Sequence, residues 1–380
     1  MAAYSRSIHL VYSANVVQEI VDAVLSSKEI QRYPHRQIYT YLEELSTNQW
    51  YPAYRALRHP LYPILRKIER HAEHVELAQQ ATQTNHVIYV SNHKSHMDYL
   101  VQLLVLDEHG IRPPIIAAGI NLFNGLMGIL NRHVTGALPV RRNSRDPAYL
   151  ATLRAYVAEL VHRRDLFLYP EGGRSYNGEF KPLKTGLLQG ALQSREANLV
   201  IVPVAIAYDL VLEDQVLARQ GKKRRQRPFA TELAQMVRYA VGYESRGFIT
   251  FGTPISLSHV DPESPRDFVR LTRHIRDVMG RLYKVLPTAL LSAALRPSML
   301  RQDLEARIDK MLEALRSIPA NLGVETGYEA VEQATGVLVA RGVIVVEGSR
   351  YRVRDRHVLR YYGRTLNHLL THRSRTSLVH

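Results

Sequence analysis

The chain contains no cysteine, which excludes disulfides, thiolate catalysis and zinc–thiolate sites. The compartment stays open on this ground, although a reducing cytosol is compatible. No window reaches the roughly 18 near-continuous apolar residues of a membrane span. The nearest candidates, residues 115–130 and 285–300, are short and interrupted by Gly, Asn, Pro or Arg. The first residues lack an apolar run of signal-peptide length. Internal repeats and low-complexity tracts are absent too. Any membrane contact is therefore expected to be peripheral.

Basic charge is abundant. Fifty Lys and Arg face 35 Asp and Glu, a formal net charge of +15 in 380 residues. Such an imbalance suits an anionic partner: a phosphorylated metabolite, anionic lipid, an acidic carrier protein or nucleic acid. It is equally compatible with a well-solvated surface, and composition does not choose between them. The hydrophobic fraction of 46% supports a globular core, and a mean hydropathy of -0.21 argues against a polytopic membrane protein.

Periodicity divides the chain. Residues 1–84 read as an N-terminal helical region, with apolar residues at helical spacing over 16–24 and again at Tyr62, Leu65 and Ile68. Short apolar runs then alternate with amphipathic stretches, at 87–90, 115–118, 137–140, 166–169, 199–208 and 248–255. This alternation predicts an α/β domain over residues 85–260, a mostly parallel sheet covered by helices. Residues 261–380 read as a C-terminal helical region with a small α+β unit. In that unit a helix precedes strands at 343–346 and 351–353 around Gly348, a winged-helix-like order.

Two strand ends carry candidate chemistry. The segment 90–99, Val-Ser-Asn-His-Lys-Ser-His-Met-Asp-Tyr, contains H-x4-D as His93 and Asp98. With 17 His in the chain, about one chance match is expected, and this is the only one. Its position matters more, because a strand end delivers His93 to the edge where open α/β folds place ligands. Asp98 can fix the imidazole tautomer and leave Nε2 free to take a proton from a hydroxyl. Asp98 also fits a capping box with Ser95, and spacing alone leaves both roles open. His96 reads as structural or exposed.

The second element, Leu166-Phe-Leu-Tyr-Pro-Glu-Gly-Gly-Arg-Ser175, repeats the strand-then-loop pattern. Gly172 and Gly173 admit a close ligand, and their N–H groups are candidate donors to an anionic oxygen. Arg174 offers a planar fork suited to phosphate. Lys184 precedes an expected helix, and Arg141 and Arg142 follow the run 137–140. Taken singly, each is as readily an ordinary turn glycine or a solvated cation. Their shared place at strand ends favours a common site.

With these residues in view, the chain resembles the glycerol-3-phosphate O-acyltransferase family, the glycerol-3-phosphate/dihydroxyacetone-phosphate branch of the H-x4-D acyltransferases. Asn92-His-Lys-Ser-His-Met-Asp-Tyr99 resembles the family's first block, and Gly136-Ala-Leu-Pro-Val-Arg-Arg142 its second. Leu168-Tyr-Pro-Glu-Gly-Gly-Arg-Ser-Tyr-Asn-Gly178 resembles the third, Lys184-Thr-Gly186 the P-K-x-G element, and Ile201-Val-Pro-Val-Ala205 the fourth. Phe251-Gly-Thr-Pro-Ile255 and the tail at 360–369 are similar to this branch as well. The likeness spans about residues 85–370. It departs at Leu138, where an aromatic is usual, and at Tyr176, where a second Arg is usual.

The resemblance implies the glycerolipid acyltransferase fold and transfer of a fatty acyl group from acyl-CoA or acyl carrier protein to the sn-1 hydroxyl of glycerol 3-phosphate. It implies His93 as general base and Asp98 as its orienting partner. Arg141, Arg142, Arg174 and Lys184 would bind the phosphate. Glu171, Gly172, Gly173 and Ser175 would support the oxyanion or position substrate. No metal or cofactor is implied beyond the acyl donor. The expected location is peripheral, on the cytoplasmic face of a membrane, with the apolar stretch 121–130 and basic Lys222–Arg227 as candidate lipid contacts. Dihydroxyacetone phosphate or a lysophospholipid are alternative acceptors. A nucleic-acid-binding module is a further alternative, but none is expected, because the recognition-helix candidate at 328–340 holds no Lys or Arg.

Overall fold

The structure, a computed structural model, describes residues 14–47, 49–50, 52–53, 56, 68–123, 128, 131–219 and 245–370. Lys222–Arg227 and most of 121–130 lie outside the described residues, as do Tyr62 and Leu65.

The α/β expectation holds. Eight strands form one sheet in the order β1 (Ile68–Glu73), β7 (Ser245–Phe251), β6 (Leu199–Tyr208), β2 (His86–Ser91), β5 (Leu166–Leu168), β3 (Ile115–Gly119), β4 (Leu138–Val140), with β8 (Ile255–Ser256) also paired to β6. Pairing is parallel except where β6 meets β7 and β8. All ten residues of β6 are buried, which explains its near-continuous apolar run. Period-two alternation divides its side chains between two cores. Val200, Val202, Val204, Ile206 and Tyr208 join one; Leu199, Ile201, Ala205 and Ala207 join the other.

Those cores are covered differently. Helix Asp98–Glu108 packs on the first face, and the C-terminal unit continues the same core through Leu290, Leu304, Val331 and Tyr361. The second face is covered by helices Ala14–Ser26, His35–Leu45, Pro147–Val161, Gly186–Gln193 and Pro265–Leu282. The hairpin around Gly348 forms as β10 (Ile344–Glu347) and β11 (Arg350–Val353), joined by a third strand, β9 (Ser298–Leu300).

The boundary at residues 84 and 85 is corrected. β1, followed by helix Val75–Thr84, belongs to the main sheet. Its sequence, Ile-Glu-Arg-His-Ala-Glu, buries only Ile68. It is held by backbone pairing to β7 and has no apolar alternation to announce it. The unit after residue 260 is likewise not a separate body: helix Pro265–Leu282 shares the sheet's second core.

Candidate active site

At the carboxyl end of β2 the backbone leaves the sheet, and Asn92 takes over its pairing. The Asn92 side chain donates to the Ile206 carbonyl at 2.9 Å and accepts from the Ile206 N–H at 2.8 Å. A strand of β6 is thus gripped by a side chain, and His93 is presented one residue beyond.

His93 Nδ1 lies 2.8 Å from Asp98 Oδ2. Asp98 is fully buried, whereas the His93 side chain is 16% exposed. The same carboxylate oxygen accepts the Lys94 and Ser95 N–H groups at 2.6 and 3.0 Å. The two readings of Asp98 are therefore built on one atom, which orients the imidazole and ties back the turn. The reciprocal half of a capping box is missing: the Ser95 hydroxyl accepts from the Met97 N–H and donates to Glu213. With Asp98 accepting, the network assigns the ring proton to Nδ1 and leaves Nε2 as a base. Burial lowers the His93 pKa; the hydrogen bond and charge of Asp98 oppose that, while His96 and Arg174 reinforce it. The lowered pKa favours neutral His93, the form that accepts a proton.

The loop after β5 braces this turn. The Tyr169 ring stacks on His93 with centroids 4.6 Å apart. Glu171 accepts the His93 N–H at 3.3 Å through one oxygen and the Lys181 N–H at 3.1 Å through the other. The Ser175 N–H donates to the His93 carbonyl at 2.9 Å, and its hydroxyl donates to the Glu179 carbonyl. Both backbone groups of His93 are thus claimed by the neighbouring loop. Here the structure corrects the expectation for Glu171 and Ser175: they position the histidine's backbone, and neither lines the cavity. Gly172 has φ +67° and its N–H donates to the Tyr169 carbonyl at 3.0 Å, so that N–H is not available to an oxyanion. Gly173, at φ +152°, faces open space; its carbonyl accepts from Lys181 Nζ at 2.8 Å, and its N–H has no backbone partner among the described residues.

The four expected phosphate ligands separate into pairs. Arg141 makes two bonds to Glu44, at 2.8 and 2.6 Å, between the rings of Tyr41 and Tyr149. Arg174, 8% exposed, donates to Glu213 at 3.3 Å. Glu213 in turn accepts from Ser95 and from the His96 N–H, so Arg174 neutralises the carboxylate that anchors the turn. Arg142 and Lys184 have other contacts. Lys184 Nζ donates to Asn143 at 2.9 Å and its stem packs against Gly172, while Arg142 packs against Gly119 so tightly that a Cβ there would lie 2.7 Å from its Nε.

One cavity of 480 Å³ collects these groups. His93, His96, Arg141, Arg142, Gly173, Arg174 and Lys184 line it beside Leu150, Leu153, Leu187 and Ile275. A positively charged polar wall meets an apolar one, the combination a phosphorylated head and an acyl tail require. His96, expected to be structural or exposed, shares the cavity with His93. Only its place three residues on in the same turn pointed to it. Among the described residues no group of three or more His, Asp or Glu side chains is arranged to hold a metal.

Residues 72–207 match the family model described as Acyltransferase, the stretch that contains β2, the H-x4-D turn and the glycine–arginine loop. The chain carries an acyltransferase domain. Within that class, it is 31% identical over 342 residues to a glycerol-3-phosphate acyltransferase of Pseudoalteromonas atlantica, covering 80% of this chain and 41% of that protein. It is 30% identical over 300 residues to one of Shewanella loihica, covering 70% and 36%. A crystal structure of the 1-acyl-sn-glycerophosphate acyltransferase PlsC from Thermotoga maritima aligns at 15% identity and TM-score 0.37, over 69% of this chain and 84% of that one. The chain belongs to the glycerol-3-phosphate acyltransferase family and spans less than half the length of these curated relatives.

Proposed function

We propose that this chain transfers a fatty acyl group from a carrier thioester to the sn-1 hydroxyl of glycerol 3-phosphate. The observation that carries the reading is the His93–Asp98 pair at the wall of a cavity that also holds Arg142, Lys184 and an apolar lining. His93 Nε2 removes the hydroxyl proton as the oxygen attacks the thioester carbon. The tetrahedral oxyanion is met by the Gly173 N–H and the field of the cavity's cations. Collapse breaks the carbon–sulfur bond, and imidazolium returns the proton to the leaving thiolate. The products are 1-acyl-sn-glycerol 3-phosphate and the free thiol of CoA or acyl carrier protein. This route uses no covalent enzyme intermediate and calls for no cofactor beyond the acyl donor.

Arg142 and Lys184, which line the cavity, are the phosphate ligands in this reading. Purified protein with palmitoyl-CoA and labelled glycerol 3-phosphate tests it, beside dihydroxyacetone phosphate and a lysophospholipid. Preference for glycerol 3-phosphate is expected. Acylation of only one of the others would replace the acceptor and keep the chemistry.

We also propose that the chain works peripherally at an anionic membrane surface, on the cytoplasmic face. Among the described residues no helix is long and apolar enough to cross a bilayer. Support comes from helix Pro265–Leu282. Its inner face lines the cavity through Thr272 and Ile275, while Arg266, Arg270, Arg273 and Arg276 stand exposed on the outside at spacings that share one face. Anionic headgroups would meet that stripe at about 1 kcal/mol per cation. Arg266→Gln, Arg270→Gln and Arg273→Gln together should weaken sedimentation with phosphatidylglycerol vesicles and flatten its salt dependence. Unchanged partitioning would overturn the surface assignment.

A further inference from the structure

We propose that Tyr208 is a positioning residue of the dyad, its hydroxyl donating to Asp98 Oδ1, the carboxylate oxygen turned away from His93. The inference deepens the reading of His93 as a base and rests on it.

The two oxygens of Asp98 differ sharply. Oδ2 accepts from His93 Nδ1 and from two backbone N–H groups. Oδ1 is fully buried and makes no hydrogen bond. A carboxylate oxygen removed from water without a donor is costly, and native proteins rarely leave one so. The Tyr208 hydroxyl is the complementary orphan, also buried and also without a partner.

The fold directs the two towards each other. Tyr208 is the last residue of β6, two positions after Ile206, which Asn92 grips. Side chains two apart share a face, and this face is the one packed by helix Asp98–Glu108: Tyr208, Met97 and Val101 lie in one core. The ring rests on Gly247, its register partner in β7, where a Cβ would come within 3.1 Å of Tyr208 Cε1. The glycine makes room for a tyrosine pointed this way. In agreement, the Tyr208 phenol is held well above its ordinary value, by burial first and then by the charge of Asp98.

A donor on Oδ1 does two things. It fixes the carboxylate plane, so that Oδ2 faces Nδ1 squarely. It also draws negative charge away from Oδ2, which weakens the pull of Asp98 on an imidazolium. Losing the donor therefore strengthens that pull and raises the pKa of His93. Other charged or titratable groups act on the pair and are unchanged by the substitution. Lys94, Tyr169, Tyr283 and Tyr361 interact with Asp98 by charge, and His96 and Arg174 act on His93.

The test is Tyr208→Phe, which keeps the ring and removes the donor. The His93 imidazole titration, followed by NMR in the free protein, should move to higher pH. The acid limb of kcat/KM should move in the same direction, and kcat should fall about tenfold, the order expected for loss of one orienting hydrogen bond. Tyr361→Phe removes another buried hydroxyl from the same core and should leave the titration where it is, because the Tyr361 phenol, held well above its ordinary pKa by burial, carries no charge there. A Tyr208→Phe titration superimposable on wild type would overturn the proposal, whatever happens to the melting temperature. The NMR arm needs no substrate, so failure of acyl transfer in the wild type would overturn the proposed function and leave this inference to be judged separately.

Discussion

The loops after β2 and β5 leave adjacent parallel strands and meet at His93, yet they are built for different work. The β2 loop is short and turned inward: Asn92 bonds to β6, and Asp98 collects His93 and two N–H groups. The β5 loop is longer and bonds outward, using Glu171 and the Ser175 N–H to hold the histidine's backbone. In the proposed reaction one loop presents the base and the other immobilises it. A catalytic group must be held to a fraction of an ångström, and here the restraint on its backbone comes from a different segment than the partner of its side chain.

The contrast predicts a hierarchy. His93→Ala removes the base itself and should cost about 10²–10⁴-fold in kcat, with a melting temperature near wild type because the side chain is at the cavity wall. Asp98→Asn should come next. The amide can still accept at one atom but carries no charge to stabilise imidazolium. It should lower kcat about a hundredfold or more and also lower the melting temperature, since the same carboxylate ties two backbone N–H groups of the turn. Normal turnover with a lower melting temperature would leave Asp98 a cap alone.

Glu171→Gln probes the bracing loop. Glutamine offers one acceptor where Glu171 uses two, so either the His93 or the Lys181 N–H loses its partner. A fall in kcat of about tenfold is expected, with both KM values little changed, because proximity is lost and substrate contacts are kept. A selective rise in the KM for glycerol 3-phosphate would instead put Glu171 in contact with substrate. The pH profile provides a further check. Burial lowers the His93 pKa from its ordinary value, so the neutral base persists as pH falls through 6.5. The acid limb of kcat/KM should lie below that value, and a limb above it would mean that Asp98 outweighs burial.

Much of this contrast was legible in the sequence, for reasons that also mark where legibility ended. The apolar runs located β2, β3, β5 and β6 because central strands must be apolar, and the turn at 92–98 followed from H-x4-D at a strand end. Residue type and local spacing singled out His93, Arg141, Arg142, Gly173, Arg174 and Lys184, which line one cavity. The partners did not follow, because they are distant in the chain. Glu213, which takes up Ser95, His96 and Arg174, is 118 residues beyond Ser95. Glu44, which claims Arg141, lies 97 residues before it, in a helix the motif reading ignored. β1 escaped because an edge strand paired mainly through its backbone leaves little trace in side-chain pattern. Charge shows the same limit. Helix Arg301–Arg316 holds four basic and four acidic residues, and Pro265–Leu282 holds five Arg against two Asp. The net charge alone cannot say which helix is positively charged.

The smallest effect is expected where motif resemblance would forecast a large one. Arg141 and Arg142 are neighbours in the same block, but the structure separates their tasks. Arg141 is fastened to Glu44 by two short bonds and sits between two tyrosine rings. The hydrogen bonds and charge of Glu44 hold its guanidinium above its ordinary pKa. A phosphate would have to draw Arg141 from a carboxylate that already matches its fork. Arg141→Gln should therefore leave the KM for glycerol 3-phosphate within about twofold. Its stability cost should be about 1 kcal/mol or less, because the side chain is 35% exposed and solvent screens such a pair. Lys184→Gln should behave oppositely, raising that KM with little change in melting temperature, since among the described residues Lys184 Nζ bonds to Asn143 alone, at the cavity wall. Measured side by side, the two variants decide whether the cavity's cations act together on the phosphate or divide into a ligand and a strut. If Arg141→Gln raised the KM as far as Lys184→Gln, the Glu44 bridge would have to open on substrate binding, and helix His35–Leu45 would become part of the site.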